Sequence, residues 1–244
     1  MRIKFIGTSH GVPEADRKWT AVMIEAGENT YFVDAGASVA DGMIRSGRPV
    51  DSLRGVFITH RHGDHMNGLL ALVDIISWYY KDADPAIFLP GEGISEPLTA
   101  LLDASFGGVH LKDIDYRVTK PGVIYDDGCA KVTAIATRHM SGGALPSFAF
   151  LFECEGKRVL FTGDLSHSCE DYPEVALTEE LDLVVIEGAH FKLTQKEHIL
   201  GRTRTKRMYV SHFYPKANAD EIEKFIDDMP FEVTLAEDGE EIEI

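Results

Sequence analysis

The residues Met1-Arg2-Ile3-Lys4-Phe5-Ile6 alternate with a period of two, which predicts a strand with one buried face. Similar runs over Thr20–Glu25 and Thr30–Val33, joined by Ala26-Gly27-Glu28-Asn29, predict a hairpin, with a helix over Val39–Ser46 to follow. Gly55–Thr59 is a short apolar run of the buried-strand type, and Met66, Leu69, Leu70, Val73 and Ile76 then recur at helical spacing. Further strands are predicted at Ala86–Leu89, Tyr116–Val118, Val123–Tyr125, Ala130–Thr137, Phe148–Glu153, Arg158–Phe161, Leu183–Ile186, Met208–Ser211, Phe231–Leu235 and Glu241–Ile244. Helices are predicted over Ser95–Ser105 (capped by Gly107-Gly108), near Lys192–Leu200, and over Ala219–Asp228. Halves 1–119 and 120–244 share an element order, with no long linker or solenoid repeat between or within them. The expectation is an α/β chain forming one domain over 1–244, with two β-sheet layers around a shared core.

Composition narrows the class of partner. With 44% hydrophobic and 26% charged residues the chain reads as globular rather than disordered. Its formal charge of −16 disfavours nonspecific binding to nucleic acid or to an anionic membrane, since both are polyanions. Cys129, Cys154 and Cys169 are odd in number and lack C-x-x-C spacing, which reads as reduced thiols. The N-terminus lacks a signal-peptide core and no apolar run approaches spanning length, so a cytoplasmic location is expected.

Chemistry concentrates in Phe57–Gly68, F-I-T-H-R-H-G-D-H-M-N-G. His60 and His62, two apart in an extended segment, can face one cation. Asp64 and His65, where a helix opens, can serve a second. Imidazole plus carboxylate suits Zn²⁺ or a similar first-row ion rather than Ca²⁺ or Mg²⁺. His139, Asp164 and His212 each follow a predicted strand directly or within two turn residues, as His60 does. Strand ends converge on one rim of a layered α/β fold, so these three could complete a two-metal site.

In these motifs the chain resembles the metallo-β-lactamase-fold hydrolases over essentially its whole length. The resemblance implies a four-layer αββα sandwich with two metals at one edge of the sheets. His60, His62 and His139 would hold one metal and Asp64, His65 and His212 the other, with Asp164 bridging. Asp34 would sit behind the ligands and fix their orientation. Zinc leads among the metals implied, and Mn²⁺, Fe²⁺ and Ni²⁺ suit the same donors. Gly63 stands where flavin-diiron relatives of this fold carry Glu, which disfavours redox iron chemistry. The loop Gly7-Thr8-Ser9-His10-Gly11-Val12-Pro13 and Pro146-Ser147-Phe148 are similar to the branch of ribonuclease Z and the cyclic phosphodiesterases. Two departures matter. The long tRNA-gripping arm of ribonuclease Z is replaced by a hairpin's length between His139 and Asp164. That family's His-Glu pair reads Ile186-Glu187 here, with His190 available to supply the imidazole.

The expected activity is metal-dependent hydrolysis of a small or cyclic phosphodiester, by attack of a hydroxide shared between two cations. Asp64 would orient that hydroxide, and His190, a turn beyond Glu187, leads as proton donor to the leaving oxygen. His10 is second, in a loop within reach of the metal rim, although a solvent-facing turn residue accounts for it too. A lactone, ester or thioester hydrolase on the same scaffold is the alternative, and a non-catalytic metal-binding or ligand-sensing protein a further one. The expected partner is a small molecule, not folded tRNA or a membrane, and a homodimer is compatible with the sequence. The basic run Lys192, Lys196, Arg202, Arg204, Lys206 and Arg207 reads as a solvated helix end, or as a grip on substrate phosphate. The acidic Glu237–Ile244 tail reads as an edge strand with a wet outer face.

Overall fold

The computed structural model of the 244-residue chain describes residues 1–105, 113–214 and 219–244. The predicted Gly107-Gly108 cap lies outside them. The first half forms strands β1 (Arg2–Gly7), β2 (Ala21–Ala26) and β3 (Asn29–Val33), helix α1 (Val39–Arg45) and β4 (Leu53–Phe57). A one-turn helix α2 (Gly63–Met66), α3 (Gly68–Trp78), β5 (Ala86–Leu89), α4 (Ser95–Ser105) and β6 (Tyr116–Val118) follow. The second half contains β7 (Gly122–Asp126), β8 (Ala130–Ala136), β9 (Phe148–Cys154), β10 (Lys157–Phe161), α5 (Val175–Thr178) and β11 (Leu183–Gly188). It closes with α6 (Glu197–Leu200), β12 (Arg207–Phe213), α7 (Ala219–Asp228), β13 (Glu232–Leu235) and β14 (Glu241–Glu243).

Two seven-stranded sheets result, in the orders β14-β1-β2-β3-β4-β5-β6 and β13-β12-β11-β10-β9-β8-β7. Each has three antiparallel steps followed by three parallel ones, β3 to β6 in the first sheet and β10 to β13 in the second. The acidic tail is the expected edge strand: Ile242 is buried while Glu241 and Glu243 are exposed. It pairs with β1, so the last residues complete the first sheet.

The inner faces meet over Phe5, Tyr31, Phe57, Phe150, Phe152 and Phe161. Tyr31 and Phe57 meet Phe150 and Phe152 edge-on or tilted across the interface, and Phe5 stacks on Tyr209. The outer face of the first sheet packs on α1, α3 and α4 through residues such as Met43, Leu69, Leu72 and Leu102. That of the second packs on α5, α6 and α7 through Ala176, Leu200, Ile222 and Phe225. These are the four αββα layers. Among the described residues no helix is long and apolar enough to cross a membrane.

One predicted helix is broken. Lys192–Leu200 is a 3-10 turn over Leu193–Lys196 followed by the short α6. The break falls at Lys196, whose backbone (φ −111°, ψ 5°) leaves the helical region, and the Thr194 amide and hydroxyl at the start of the turn both donate to Glu221 of α7, at 2.9 Å.

Candidate metal centre

The parallel strands of both sheets deliver their C-terminal ends to one rim. β3 ends at Asp34, β4 leads to His60, β10 to Asp164 and β11 to Glu187 and His190. His212 lies inside β12 rather than beyond it. Ser211 pairs with Glu187 and Phe213 with Gly188, so His212 is the extra residue of a β-bulge, with φ +49°. A bulge bends a strand and re-aims a side chain, here toward the rim. Asp34 also has positive φ, +60°. The loop after it lies against the turn at Asp64: a Cβ on Gly36 would come 1.7 Å from the Asp64 carbonyl oxygen, so only glycine fits.

The donor atoms form two clusters. His60 Nε2 and His62 Nδ1 stand 3.0 Å apart, and His139 Nε2 is 3.3 Å from His62 Nδ1. In the second cluster His212 Nε2 lies 3.3 Å from His65 Nε2 and 3.2 Å from Asp64 Oδ2. One oxygen belongs to both: Asp164 Oδ2 is 3.5 Å from His60 Nε2, 3.7 Å from His139 Nε2 and 3.4 Å from His65 Nε2. Donors about 2.0–2.1 Å from a tetrahedral zinc ion stand about 3.3 Å from each other, which is the spacing seen here. His60, His62, His139 and Asp164 could therefore hold one ion, and Asp64, His65 and His212 a second.

Two further observations fit a cation. Asp164 is 3% exposed, and its Oδ1 and His212 Nδ1 face each other at 3.5 Å with no hydrogen-bond partner among the described residues. The protonation balance also runs toward bound positive charge. Burial alone would lower the His65 pKa, but the Asp164 and Asp34 carboxylates outweigh it and hold the imidazole well above its usual range. Burial opposes the charge of Asp164, yet His212, His65 and His60 keep it well below the usual carboxylate range. His60, by contrast, is held low by burial and by His65, which leaves its lone pair free.

Supporting contacts set the tautomers. His65 Nδ1 donates to Asp34 Oδ2 at 2.8 Å, which leaves Nε2 facing the cluster. The Thr59 amide and hydroxyl donate to Asp34, and the same hydroxyl lies 3.1 Å from His60 Nδ1. His139 Nδ1 donates to the Leu165 carbonyl. Asp171 ties together the loops that carry His139 and Asp164: it accepts from the Arg138 amide at 2.6 Å and the Ser166 amide at 3.0 Å. Neither Thr59 nor Asp171 carried a sequence signal, because a threonine in a strand end and an aspartate in a turn are ordinary there.

His190 sits beside both clusters, its Nδ1 3.7 Å from Asp164 Oδ2. Glu187, 3% exposed, accepts from the Leu165, Ala189 and His190 amides, and from His190 Nδ1 at 3.0 Å. Burial would lower His190, but the Glu187 hydrogen bond and charge, with Asp164, push it up to about 9. Glu187 is thus turned toward its own loop and orients His190. His167, unmarked in the sequence reading, donates from Nδ1 to the His190 carbonyl. His10 is not a solvent-facing turn residue. It is 4% exposed, stacks on Tyr214 at 3.4 Å between ring centres, and accepts the Val12 amide at Nδ1. The basic run is dispersed: Lys196 bonds the Ser168 carbonyl, Arg204 pairs with Glu180 and Arg207 bonds the Glu243 carbonyl.

Residues 1–231 match the family model of the Anti-Pycsar protein Apyc1. The chain belongs to that family. The Apyc1 family chain is also 34% identical over 137 residues to ribonuclease Z of Listeria innocua serovar 6a, 55% of this chain and 44% of that protein. Ribonuclease Z of Brevibacillus brevis is 29% identical over 154 residues, 62% of this chain and 46% of that protein. The chain thus spans about half the length of the curated relatives it matches. Among solved structures, human tRNase Z, short form, is similar at a TM-score of 0.75 and 22% identity, covering 100% of this chain and 99% of that one. The metallo-β-lactamase fold protein YhfI from Bacillus subtilis is similar at 0.79 and 17%, covering 99% and 98%. A diphosphatase from the PhnP family is similar at 0.70 and 16%, covering 100% and 97%. The fold is that of the metallo-β-lactamase proteins, and the sequence stands near ribonuclease Z, as the motifs implied.

Proposed function

We propose that this chain is a dinuclear metal-dependent hydrolase of small or cyclic phosphodiesters. The observation that carries the reading is the single Asp164 oxygen within 3.5 Å of a nitrogen in each of two donor clusters. His60, His62, His139 and Asp164 would hold one divalent ion, and Asp64, His65, His212 and Asp164 the other. Zinc fits the nitrogen-rich donor set best, and Mn²⁺, Fe²⁺ or Ni²⁺ would also be accepted. Bound there, the pair supplies Lewis acidity to the phosphoryl oxygens and lowers the pKa of water.

The protein's own groups do the rest. Asp34 and Thr59 hold His65 and His60 in the tautomers that face the clusters. In the reaction a water oxygen bonds to phosphorus, one P–O bond breaks, and the leaving oxygen takes a proton. His190 is the donor in this reading: Glu187 engages Nδ1, and a pKa near 9 keeps the ring charged at neutral pH. His10 is the reserve donor, since its engaged Nδ1 leaves Nε2 as the N–H.

A phosphodiester is favoured over a lactone or thioester by the sequence relatives, which are ribonuclease Z proteins. The solved diphosphatase of the PhnP family and yeast PDE1 share the fold. A small substrate is favoured over folded tRNA by the short β9–β10 hairpin between His139 and Asp164, by the charge of −16, and by basic side chains already engaged in structural contacts. The test is metal analysis of the purified protein, with hydrolysis of phosphodiester, phosphomonoester, lactone and thioester substrates. Two ions per chain with phosphodiesters turned over fastest is the expected result. Preferential turnover of a lactone or thioester would replace this reading with the carboxyl-transfer one, and no turnover despite bound metal would favour a sensor.

A further inference from the structure

Beneath the inner cluster of Asp64, His65 and His212 lies a cavity of about 30 Å³ between the facing sheets. Val22, Val33 and Val185 give it apolar walls, and Asp164, Ser211 and His212 line it on the side of the rim. β12 brings the last two there. Tyr209 belongs to the core between the sheets and Val210 to the outer core, so alternation turns Ser211 inward again. The bulge then inserts His212, and Phe213 returns to the outer core. Ser211 and His212 thus line one cavity although they are neighbours in a strand.

Among the described residues six buried side-chain atoms lack a hydrogen-bond partner, and three of them belong to residues of this cavity: Asp164 Oδ1, Ser211 Oγ and His212 Nδ1. The three residues are 3%, 4% and 5% exposed. His212 turns Nε2 to the inner cluster, so as a ligand it carries its hydrogen on Nδ1. A ligand imidazole ordinarily donates that hydrogen to a fixed acceptor. His65 donates to Asp34, His139 to the Leu165 carbonyl, and His60 Nδ1 lies beside the Thr59 hydroxyl. The nearest such oxygen to His212 Nδ1 is Asp164 Oδ1, at 3.5 Å, beyond the roughly 2.7–3.2 Å of an N–H···O bond. A buried water needs about 10–15 Å³ of space and two to four polar partners. The cavity supplies both.

We propose that the cavity holds one buried water that accepts the His212 Nδ1 hydrogen, donates to Asp164 Oδ1 and is fixed by the Ser211 hydroxyl. Ser211 is then a positioning residue: through the water it holds the His212 ring, and so the lone pair that His212 offers to the inner ion. The role toward the ion rests on the two-metal reading; the water site does not.

Crystallography of the zinc-loaded protein tests the water. One density peak should lie within hydrogen-bond distance of all three atoms, without anomalous signal at the zinc edge. An anomalous peak would make the cavity a further metal site, and a direct His212–Asp164 bond with no peak would leave a water no role. Either result overturns the proposal. Release of zinc to a chelator tests the positioning role. Ser211→Val and Ser211→Thr add nearly the same volume, and only the second keeps the hydroxyl. Ser211→Val should lose the peak and release one ion about tenfold faster than wild type, while Ser211→Thr should stay within about threefold. Ser211→Ala, which only deletes the hydroxyl, should also release one ion faster, and it decides the matter if the valine variant does not fold. Equal acceleration by valine and threonine would assign the effect to packing, and wild-type release from the valine and alanine variants would take the positioning role from Ser211. If the wild type binds no zinc, the metal reading fails and the positioning role with it, while a crystal structure of the metal-free protein still decides the water.

Discussion

The two donor clusters share Asp164 and draw on one six-residue string, yet they differ in kind. His60, His62 and His139 form an all-nitrogen cluster at the open side of the rim, where His62 is exposed and His139 half-buried. Asp64, His65 and His212 form a deeper one that contains a carboxylate and is braced from behind by Asp34. The division arises at Gly63. Before it the chain is extended, so His60 and His62 point to one place; after it α2 begins, and Asp64 and His65 point to another. A turn of backbone is enough to split a local motif between two sites of different charge and exposure. The consequence expected is a loosely held ion at the outer cluster and a firmly held one at the inner.

The largest effect should come from removing what the clusters share. Asp164→Ala should empty or disorder both sites and reduce hydrolysis to background, while circular dichroism reports an unchanged fold. A variant that keeps two ions per chain and full activity would show that Asp164 bridges nothing.

Next in size is a residue that stands beside both clusters and lies outside the two proposed ligand sets. His190→Ala should slow an alkyl phosphodiester by the order of 10²–10⁴ typical of lost general acid catalysis. A nitrophenyl ester, whose leaving group needs no proton, should hardly change, and neither should metal content. Equal slowing of the two esters would take the proton-donor role from His190, and His10 would be tested the same way.

A smaller effect separates the clusters directly. Asn tolerates the left-handed backbone of position 34, so Asp34→Asn removes charge without adding strain. Loss of such support costs about 10–100-fold in metal affinity or activity. It should fall on the inner ion, and a chelator titration should show one of two ions released earlier than in wild type. Unchanged release of both would mean that Asp34 does not distinguish the clusters.

The smallest expected effect is on nucleic acid. At physiological salt, precursor tRNA should bind weakly if at all and should not be matured efficiently by any form of the protein. Tight binding with specific 3′ cleavage, seen by gel shift and product mapping, would restore a ribonuclease Z activity in full.

Periodicity located nearly every strand because inward and outward side chains alternate on a sheet whatever it later packs against, as in β1 and β14. The H-x-H-x-D-H string was legible for the same reason, since its spacing and its turn are local. His139, Asp164 and His212 could be proposed from their places at or just after strand ends, which layered sheets bring to one rim, whereas Asp34 came only from the family resemblance. What pairwise geometry decided was beyond that reach. His10 is buried because Tyr214, some two hundred residues on, stacks over it. The first turn of the helix expected over Lys192–Leu200 is tied to α7 through Glu221, which accepts from the Thr194 amide. His212 faces the cluster through a bulge created by register against β11, and the unpartnered Ser211 hydroxyl shows only when the walls around it are assembled. Each is a contact between residues far apart in the chain, whose formation depends on how sheets and loops pack and which no window of sequence contains.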